Sequence, residues 1–518
     1  GLRSWLEAMP LWLGRKLHIP KVIEREIGYR GDVLFTEHHE AHAASAFYPS
    51  PFKKAAILTM DGVGEWATAS YGYGKGKDIV LLKELHFPDS VGLLYSAFTY
   101  FTGFKVNSGE YKLMGLAPYG KPIFKDLILK EIIDLKEDGS IRLDLSYFDF
   151  LGGLRMTNKR FAKLFGGPPR KPETEITKRE MDIAASIQAV TEEIVMRMVR
   201  YVHKETKQKC LCLAGGVALN CVANGRILRE GPFEDIWIQP AAGDAGGSLG
   251  AALSVWHRYL ANEREISEGK DNQKGSYLGP SFSNERVKEF LDKNRYCYHQ
   301  LDPAQRAGKI SEQIAAGKIV GYMAGHMEFG PRALGARSIM GDPRQVETQS
   351  VMNLKIKYRE SFRPFAPTVI EEKASDYFEL DRPSPYMLLV ADVVKSRQLP
   401  QPSADGMSML KRLKSKRSDI PAVTHLDYSA RIQTVNKNDK PDYYDVIAAF
   451  EKLTGCAVVV NTSFNVRGEP IICTPEDAYR CFMRTEMDVL VIEDFILFKN
   501  EQPVWTEGIE WRDELILD

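Results

Sequence analysis

The sequence has few cysteines, no net charge and no long apolar run, and each absence excludes a class of protein. Its 518 residues include seven cysteines, without a CxxC pair; an odd number without a disulfide framework is typical of a reducing, cytoplasmic setting. Sixty-nine basic side chains balance 69 acidic ones, which argues against nucleic-acid or membrane binding driven by bulk charge. No apolar run approaches the ~20 residues of a membrane span, and the N-terminus lacks a signal-peptide pattern. We therefore predict a soluble, cytoplasmic protein without nucleic-acid or membrane partners.

Short apolar β-rich runs alternate with helical patterns, which predicts an α/β architecture. The predicted strands are 55–60, 210–214, 236–239 and 319–324, and the predicted helices include 184–202, 284–294 and 304–316. A polar stretch without periodicity is typical of a linker, so we predict a first domain over 1–262, a linker over 263–275 and a second domain over 276–518. The Cys210-x-Cys212 pair favours buried small side chains over a metal site. The basic run 411–417 favours a solvated loop over a phosphate or partner contact.

The segment HHEAHAASAFYP contains two histidines, His38 and His42, that are four residues apart. On a helix such residues share a face, so two imidazoles could hold one metal ion. Pro49 is expected to end the helix. Two surface or capping histidines are the alternative. His39 would face elsewhere and is expected to pack.

Carboxylates follow two glycine-rich turns. Asp61 ends an apolar strand and precedes Gly62 and Gly64, and the carboxyl edge of a strand is where open α/β sheets place ligands. Asp244 lies in a turn that opens a small-residue helix, where N–H groups could meet phosphate. An Asp-Gly hairpin turn is the alternative for Asp61. Two histidines and two aspartates suit Fe, Zn or Mn better than Ca or Mg.

Two further segments have both a binding and a packing interpretation. Gly215 and Gly216 separate a strand from a helix that carries Asn220, and bare backbone there would let a nucleotide lie against it. Tight helix–sheet packing explains the glycines equally well. Lys112, among predicted turn residues 107–120, is either a phosphate neighbour or part of a surface ion pair.

The second domain carries cations among glycines, prolines and aromatic residues. An arginine in an apolar run is costly unless it meets an anion, and its guanidinium matches phosphate in a bidentate way. As a set these cations favour a phosphate site, with internal ion pairs as the alternative. The candidates are Arg332, Lys357, Arg363, Arg431 and Arg467; Arg337 and Arg344 lie in similar surroundings.

Eight segments together resemble the NodU/CmcH family of O-carbamoyltransferases. They are HHEAHAASAFYPSPF, ILTMDGVGEWATAS, GEYKLMGLAPYG, CLAGGVALNCVANGRI, AAGDAGGSLGAAL, EFGPRALGARSI, FRPFAPTV and NTSFNVRGEPI. The resemblance implies an actin/Hsp70-like (ASKHA) nucleotide-binding domain, similar to the universal tRNA threonylcarbamoyladenosine transferase, followed by a YrdC-like α/β domain. The second domain would make carbamoyl-adenylate from carbamoyl phosphate and ATP, with Mg²⁺ expected. The first would transfer the carbamoyl group to a hydroxyl of a small-molecule acceptor such as a natural product or sugar.

Carried onto this sequence, the resemblance implies a role for each group of residues. The metal ligands would be His38, His42, Asp61 and Asp244, with iron expected and zinc or manganese as alternatives. Arg332, Lys357, Arg363, Arg431 and Arg467 would bind the phosphates of carbamoyl phosphate and ATP. The nucleotide-facing residues would be Gly62, Gly64, Gly215, Gly216, Asn220 and Gly243. Apart from the resemblance, the reaction calls for a general base, for which His39 is the candidate, and Lys112 is the other catalytic candidate.

One departure from the family and three rival functions remain open at this point. Family members usually open with a strand that carries a His-Asp-Ser-Ala run, which is absent here, so the first domain is expected to lack its N-terminal strand. A metal-dependent hydrolase that uses the HxxxH pair would need neither ATP nor carbamoyl phosphate. A non-enzymatic Hsp70-like switch would bind ATP without releasing pyrophosphate, and the cations of the second domain argue against it. A tRNA-modifying role fits poorly with zero net charge.

Overall fold

The computed structural model describes residues 2–267, 269–400 and 412–505, and these group by contact into two compact units. The first unit contains the chain up to Leu219 together with Glu230–Lys270, and the second contains Asn220–Arg229 together with the chain from Asp271 onward. The grouping thus moves one helical segment, placed by the sequence in the first domain, into the second unit.

Helices and strands alternate along most of the chain. The α-helices of the described residues are α1 (Leu2–Gly14), α2 (Ile19–Ile27), α3 (His38–Phe47), α4 (Val91–Phe101), α5 (Glu110–Leu116), α6 (Lys125–Leu127), α7 (Lys159–Leu164), α8 (Lys178–Thr206), α9 (Cys221–Glu230), α10 (Ala245–Ser254), α11 (Asn284–Lys293), α12 (Pro303–Ala315), α13 (Val346–Val351), α14 (Ala374–Tyr377), α15 (Pro441–Thr454) and α16 (Pro475–Arg484). None of these combines the length and apolarity that a bilayer-crossing helix needs.

The strands form one main sheet in each unit, and the predicted α/β class is confirmed. The strands are β1 (Lys54–Met60), β2 (Ala67–Lys75), β3 (Asp78–His86), β4 (Ile133–Leu135), β5 (Ile141–Leu143), β6 (Cys210–Ala214), β7 (Asp235–Ile238), β8 (His299–Gln300), β9 (Val320–Met323), β10 (Arg337–Gly341), β11 (Ala366–Ile370), β12 (Leu389–Asp392), β13 (Ser429–Val435), β14 (Val458–Ser463), β15 (Val489–Ile492) and β16 (Phe495–Phe498). The short strands β4 and β5 pair only with each other.

The first unit is built on a five-stranded sheet in the order β3-β2-β1-β6-β7. Strands β1, β2 and β3 form an antiparallel meander, whereas β6 and β7 run parallel to β1. Every residue of β1 after Lys54 is buried, as expected for a strand covered on both faces. Because β1 and β2 are antiparallel, the Asp61–Gly62 pair does begin a hairpin connection. Asp61 also lies directly after the carboxyl end of β1, at the sheet edge where a ligand site was predicted.

The second unit contains a nine-stranded mixed sheet in the order β12-β13-β11-β14-β10-β9-β15-β16-β8. Strand β13 carries Arg431, and its neighbour β11 runs parallel to it. Strand β14 carries Asn461 and Ser463 and pairs antiparallel with both β11 and β10. Neighbouring strands therefore place polar side chains close together in an otherwise apolar sheet.

Helix α9 shows why segment 220–229 groups with the second unit. The Nδ2 of Asn224 donates to the carbonyl of Leu388 at 3.1 Å, and a guanidinium nitrogen of Arg229 donates to the carbonyl of Val390 at 2.8 Å. Both acceptors are in or beside β12. The sequence pattern of a helix following β6 carries no information about these long-range partners.

Two local predictions are wrong. Residues 107–120 were expected to form turns, but Glu110–Leu116 form α5, and the carboxylate of Glu110 accepts a hydrogen bond from the N–H of Asn107 at its start. An acidic residue in the first turn favours the helix. In the basic run 411–417, Lys411 lies outside the described residues. Arg417 is buried, and it donates to the carbonyls of Thr424, Arg412 and Leu413 rather than facing solvent.

The predicted linker 263–275 contains an anchor for helix α3. Arg264 donates from Nε to the carbonyl of Tyr48 at 2.9 Å, from Nη1 to Phe52 at 2.8 Å and from Nη2 to Phe47 at 2.6 Å. Its guanidinium lies 4.3 Å from the centre of the Phe47 ring, and burial lowers its pKa to about 10. A cation at the C-terminal end of a helix also opposes the partial negative charge there.

Replacing Arg264 by alanine is expected to lower the free energy of unfolding by about 2 kcal/mol, because several carbonyls lose a charged donor. Urea denaturation measures this. Glu263→Gln, at a neighbouring side chain that is 81% exposed, is the matched control and should leave stability unchanged. Equal midpoints for Arg264→Ala and the control would contradict the anchoring role.

Candidate metal centre and cationic pocket

Helix α3 presents His38 and His42 on one face. The alanines of HHEAHAASAF are buried, and α10 packs closely against the helix. A Cβ at Gly250 would lie 1.8 Å from the carbonyl oxygen of Ala41, so only glycine permits this approach. Helix α10 begins just after Asp244, and the packing of these two helices therefore brings Asp244 toward the histidines.

The carboxylate of Asp61 is fixed by backbone N–H groups. Its Oδ1 accepts from Gly62 at 2.8 Å and from Gly216 at 3.1 Å. Gly215 has a φ of +89°, and a Cβ there would lie 2.2 Å from the carbonyl of Met60. With Oδ1 occupied, Oδ2 is left to face the imidazoles.

Four side-chain donor atoms converge at this edge of the sheet. One ligand atom each from His38, His42, Asp61 and Asp244 lies within 4.8 Å of the others. The two Nε2 atoms are 3.0 Å apart, and Asp61 Oδ2 lies 3.0 Å from Nε2 of His38 and 3.2 Å from Nε2 of His42.

Asp244 is the fourth donor and the most exposed of the set. Its Oδ1 lies 3.5 Å from Nε2 of His38 and 3.9 Å from Nε2 of His42, and its side chain is 80% exposed, whereas that of His42 is 1% exposed. Two atoms that bind one ion at tetrahedral angles lie about 3.4 Å apart. The observed separations bracket this value, so the donor set fits a transition metal with one side open to solvent.

The electrostatics of the centre favour a charged carboxylate. Burial raises the pKa of Asp61, but hydrogen bonds with His38 and His42 and the N–H of Gly62 outweigh burial and lower it well below its usual range. The hydrogen bond to Asp61 raises the pKa of His38, against an opposing effect of burial. The carboxylate is thus ionised, as a metal ligand must be.

In the second unit, Arg332 and Arg363 lie near enough to Arg431 for their charges to act on it. Burial, together with the neighbouring charges of Arg332 and Arg363, lowers the pKa of Arg431 to about 9. The buried Nε of Arg431 has no hydrogen-bond partner in the described part of the chain, and none of the ion pairs found there includes Arg431. A buried cation of this kind is costly unless an anion is bound.

Internal ion pairs, the alternative explanation, account for other cations. Arg344 forms a two-pronged pair with Asp342, with Nε–Oδ1 at 2.9 Å and Nη2–Oδ2 at 2.6 Å. Arg363 has a looser contact, 3.5 Å, with Glu360. Arg337 is fully buried and donates to the carbonyls of Gly325, Ala336 and Pro280. The guanidinium groups of Arg337 and Arg344 are therefore used within the protein, by carbonyls and by a carboxylate respectively.

Comparison with known proteins decides the family. Residues 1–253 match the family model described as "Carbamoyltransferase N-terminus", and residues 311–499 match that described as "Carbamoyltransferase C-terminus". Nodulation protein NolNO from Sinorhizobium fredii is 36% identical over 95% of this chain and 68% of its own length. The chain belongs to the carbamoyltransferase family. Its resemblance to that family and its assignment as a carbamoyltransferase enzyme are confirmed.

Two further comparisons place this carbamoyltransferase among known sequences and structures. An uncharacterized protein, sll1178, from Synechocystis is 58% identical over all of this chain and 86% of its own length. The crystal structure of full-length HypF in the phosphate- and nucleotide-bound form matches 39% of this chain and 22% of its own, at 14% identity and a TM-score of 0.25. A TM-score this low does not define a shared fold.

His39 of the carbamoyltransferase points into the protein interior and not toward the four metal donors. It is 3% exposed, and its Nδ1 is 2.7 Å from Oγ1 of Thr59, which in turn is 2.6 Å from Oγ of Ser70. Burial and the nearby charge of His42 lower its pKa to about 4. This placement favours the packing role over proton transfer to an acceptor.

Lys112 is buried, and of the predicted nucleotide-facing residues the glycines lie at the metal ligands whereas Asn220 does not. Lys112 is 2% exposed, with its ammonium 5.8 Å from the centre of the Phe104 ring. A Cβ at Gly64 would lie 3.0 Å from the ring of His38, and Gly243 directly precedes Asp244. With Gly62, Gly215 and Gly216, these glycines line the metal ligands. Asn220 accepts from the N–H of Ala223 at the start of α9 and belongs to the second unit.

Lys357 and Arg467 are joined through one turn. The ammonium of Lys357 donates to Oδ1 of Asn465 at 2.7 Å and to its carbonyl at 2.9 Å, and also to the carbonyl of Ser463. Burial and the charge of Arg359 lower the pKa of Lys357 well below its usual range. Lys357 thus holds the turn that carries Arg467. No local sequence pattern points to these acceptors, because the two segments are 108 residues apart.

Proposed function

We propose that the chain is an ATP- and carbamoyl phosphate-dependent O-carbamoyltransferase that makes carbamoyl-adenylate and carbamoylates a hydroxyl of a small molecule, such as a sugar. The observation that carries the proposal is the buried Arg431, which itself has no carboxylate partner in the described residues and which feels the charges of Arg332 and Arg363. Such a cluster suits a small polyanion, and the family supplies the carbamoyl chemistry.

The two units would divide the reaction. The meander β1–β3 followed by the parallel strands β6 and β7 supports an actin/Hsp70-like fold for the first unit. The mixed sheet that carries the cations supports the YrdC-like assignment of the second. We place activation of the carbamoyl group in the second unit and transfer in the first.

In the second unit, the chain would act by binding and by neutralising charge. Arg332, Arg363 and Arg431 would face the phosphate oxygens of carbamoyl phosphate and ATP, with Mg²⁺ accompanying the nucleotide. Charge that develops on a leaving phosphate or pyrophosphate is stabilised by cations already in position. Lys357 would act indirectly, by fixing the turn that carries Arg467.

In the first unit, His38, His42, Asp61 and Asp244 would hold a metal ion, for which iron, zinc and manganese are the candidates. Such an ion supplies a Lewis acid for an oxygen of the carbamoyl donor. The N–H groups of Gly62 and Gly216 fix Asp61, and His42 is almost fully buried. The exposed Asp244 marks the side from which donor and acceptor would enter.

The test is pyrophosphate release from ATP by the wild-type chain, with and without carbamoyl phosphate. We expect release to depend on carbamoyl phosphate, because carbamate derived from it is the group that displaces pyrophosphate. Release that is indifferent to carbamoyl phosphate would contradict the proposal. The rival hydrolase would instead show metal-dependent cleavage without either cosubstrate.

A further inference from the structure

The cationic pocket, by which we mean Arg332, Arg363 and Arg431, brings like charges together on three separate segments of the chain. Arg332 and Arg363 lie outside the strands, in segments 329–336 and 357–365, whereas Arg431 is fixed on β13. Like charges at short range repel, and until an anion binds nothing offsets the cost of the buried Arg431. The backbone on either side of the two loop arginines must therefore be held in place.

Two buried carboxamides hold the segment that carries Arg332. Nδ2 of Asn461 donates to the carbonyl of Ala333 at 3.2 Å, and Nε2 of Gln433 donates to the carbonyl of Leu334 at 2.8 Å. Asn461 and Gln433 are 0% and 1% exposed. Their acceptors are the two residues that follow Arg332.

A buried hydroxyl orients these two amides. Oγ1 of Thr368 donates to Oε1 of Gln433 at 2.6 Å and accepts from Nδ2 of Asn461 at 3.1 Å. Nδ2 of Asn461 also lies 2.8 Å from Oε1 of Gln433, so its two N–H bonds are shared among three acceptors. Strands β11, β13 and β14 thus carry one connected polar network, whose outer donors reach the loop.

A second pair of carboxamides holds the segment that carries Arg363. The carbonyl of Arg363 itself accepts from Nδ2 of Asn353 at 2.9 Å and from Nε2 of Gln349 at 3.2 Å. Asn353 is fully buried and Gln349 is 6% exposed. Oδ1 of Asn353 accepts from Nε of Arg359 at 2.7 Å, which fixes the orientation of the amide.

We infer that Asn461, Gln433, Asn353 and Gln349 are positioning residues that assemble the arginine pocket before an anion binds. Each donates to the carbonyl of a pocket arginine or of a residue one or two positions after it. A carboxamide is neutral, so it fixes the backbone without pairing with a guanidinium and consuming its charge. The inference rests on the proposed function of the pocket and adds the residues that shape it.

The test is a set of double-mutant cycles, with inorganic pyrophosphate as the probe and its Kd measured by calorimetry on the full chain. Asn461→Leu, which keeps the volume and removes the donor, is expected to raise the Kd about tenfold in the wild-type background. On the Arg332→Ala background the same change should have less than about a twofold effect, because the residue being positioned is gone. Asn353→Leu should behave in the same way with Arg363→Ala.

Crossed pairs and a matched control separate positioning from general damage. Asn461→Leu combined with Arg363→Ala should multiply the single effects. Gln188→Leu removes a buried amide of α8, 5% exposed, that bonds to Tyr95 of α4 and to Glu192, and it should leave the Kd unchanged. An Asn461→Leu effect of the same size with and without Arg332, or no effect at all, would overturn the inference.

A milder variant serves if Asn461→Leu does not fold. Thr368→Val removes only the orienting hydroxyl, and it should raise the Kd about threefold with Arg332 present and not without it. Pyrophosphate binding, measured beside carbamoyl phosphate-dependent pyrophosphate release, distinguishes a failure of this inference from a failure of the proposed function. Wild-type chain that binds pyrophosphate but releases none in response to carbamoyl phosphate would contradict the function alone, whereas failure to bind pyrophosphate would overturn the inference.

Discussion

Replacing Arg431 by lysine is expected to lower kcat/KM for carbamoyl phosphate-dependent pyrophosphate release by about 10²-fold. Lysine keeps the positive charge but loses the planar, forked donor set that matches a phosphate. Arg431 has a buried Nε without a protein partner in the described residues, so the lost donors are ones that the proposed substrate would use. Steady-state pyrophosphate release at varied carbamoyl phosphate measures the effect.

The matched control is Arg344→Lys. Arg344 belongs to the same unit, but both prongs of its guanidinium bond to Asp342, so substrate binding should not involve it. Its kcat/KM should stay within about twofold of wild type, since only an internal pair is altered. Equal losses in the two variants would show that arginine-to-lysine replacement damages the unit generally, and the anion-binding role of Arg431 would then be wrong.

Replacing His42 by alanine is expected to abolish the metal centre. His42 is almost fully buried, and its Nε2 lies within 3.2 Å of both His38 Nε2 and Asp61 Oδ2, so its loss removes a central donor of the set. Metal content after dialysis should fall from about one ion per chain to a small fraction of that. Elemental analysis of the purified variant measures the loss, and Co²⁺ titration gives the change in affinity.

His257→Asn is the control for the loss of a buried imidazole. His257 is also in the first unit and bonds to the carbonyl of Asn262, but it belongs to no group of metal donors in the described residues. Its metal content should equal that of wild type. Full metal content in His42→Ala would contradict the assignment of the four donors.

The sequence was sufficient to predict the features that depend on local pattern. The four-residue spacing of His38 and His42 and the stop at Pro49 predicted helix α3, and the apolar run before Asp61 predicted β1. Both follow from the periodicity of helices and strands. The convergence of these residues with Asp244 was expected because strand ends and helix starts share an edge of an α/β sheet.

The features that the sequence could not predict depend on distant partners. Arg264 lies in a polar segment that the sequence predicts as a linker. Its guanidinium nevertheless anchors α3, which lies more than two hundred residues earlier in the chain. The sequence predicts Lys357 as a phosphate ligand. In the structure its ammonium donates a hydrogen bond to Asn465, in a turn on another segment. A charged side chain reveals its partner only once the fold has placed acceptors around it. The same holds for the carboxamides of Asn461 and Asn353, which no local pattern distinguishes from surface amides.

The most direct test of the division of labour measures pyrophosphate and carbamoyl product in the same reactions. Wild type, Arg431→Lys and His42→Ala would each receive ATP, [¹⁴C]carbamoyl phosphate and a panel of sugars, with radiolabel followed into the sugar fraction. We predict that Arg431→Lys loses both products together, while His42→Ala keeps pyrophosphate release and loses sugar labelling. If His42→Ala lost pyrophosphate release as severely as Arg431→Lys, activation and transfer could not be assigned to two separate sets of residues.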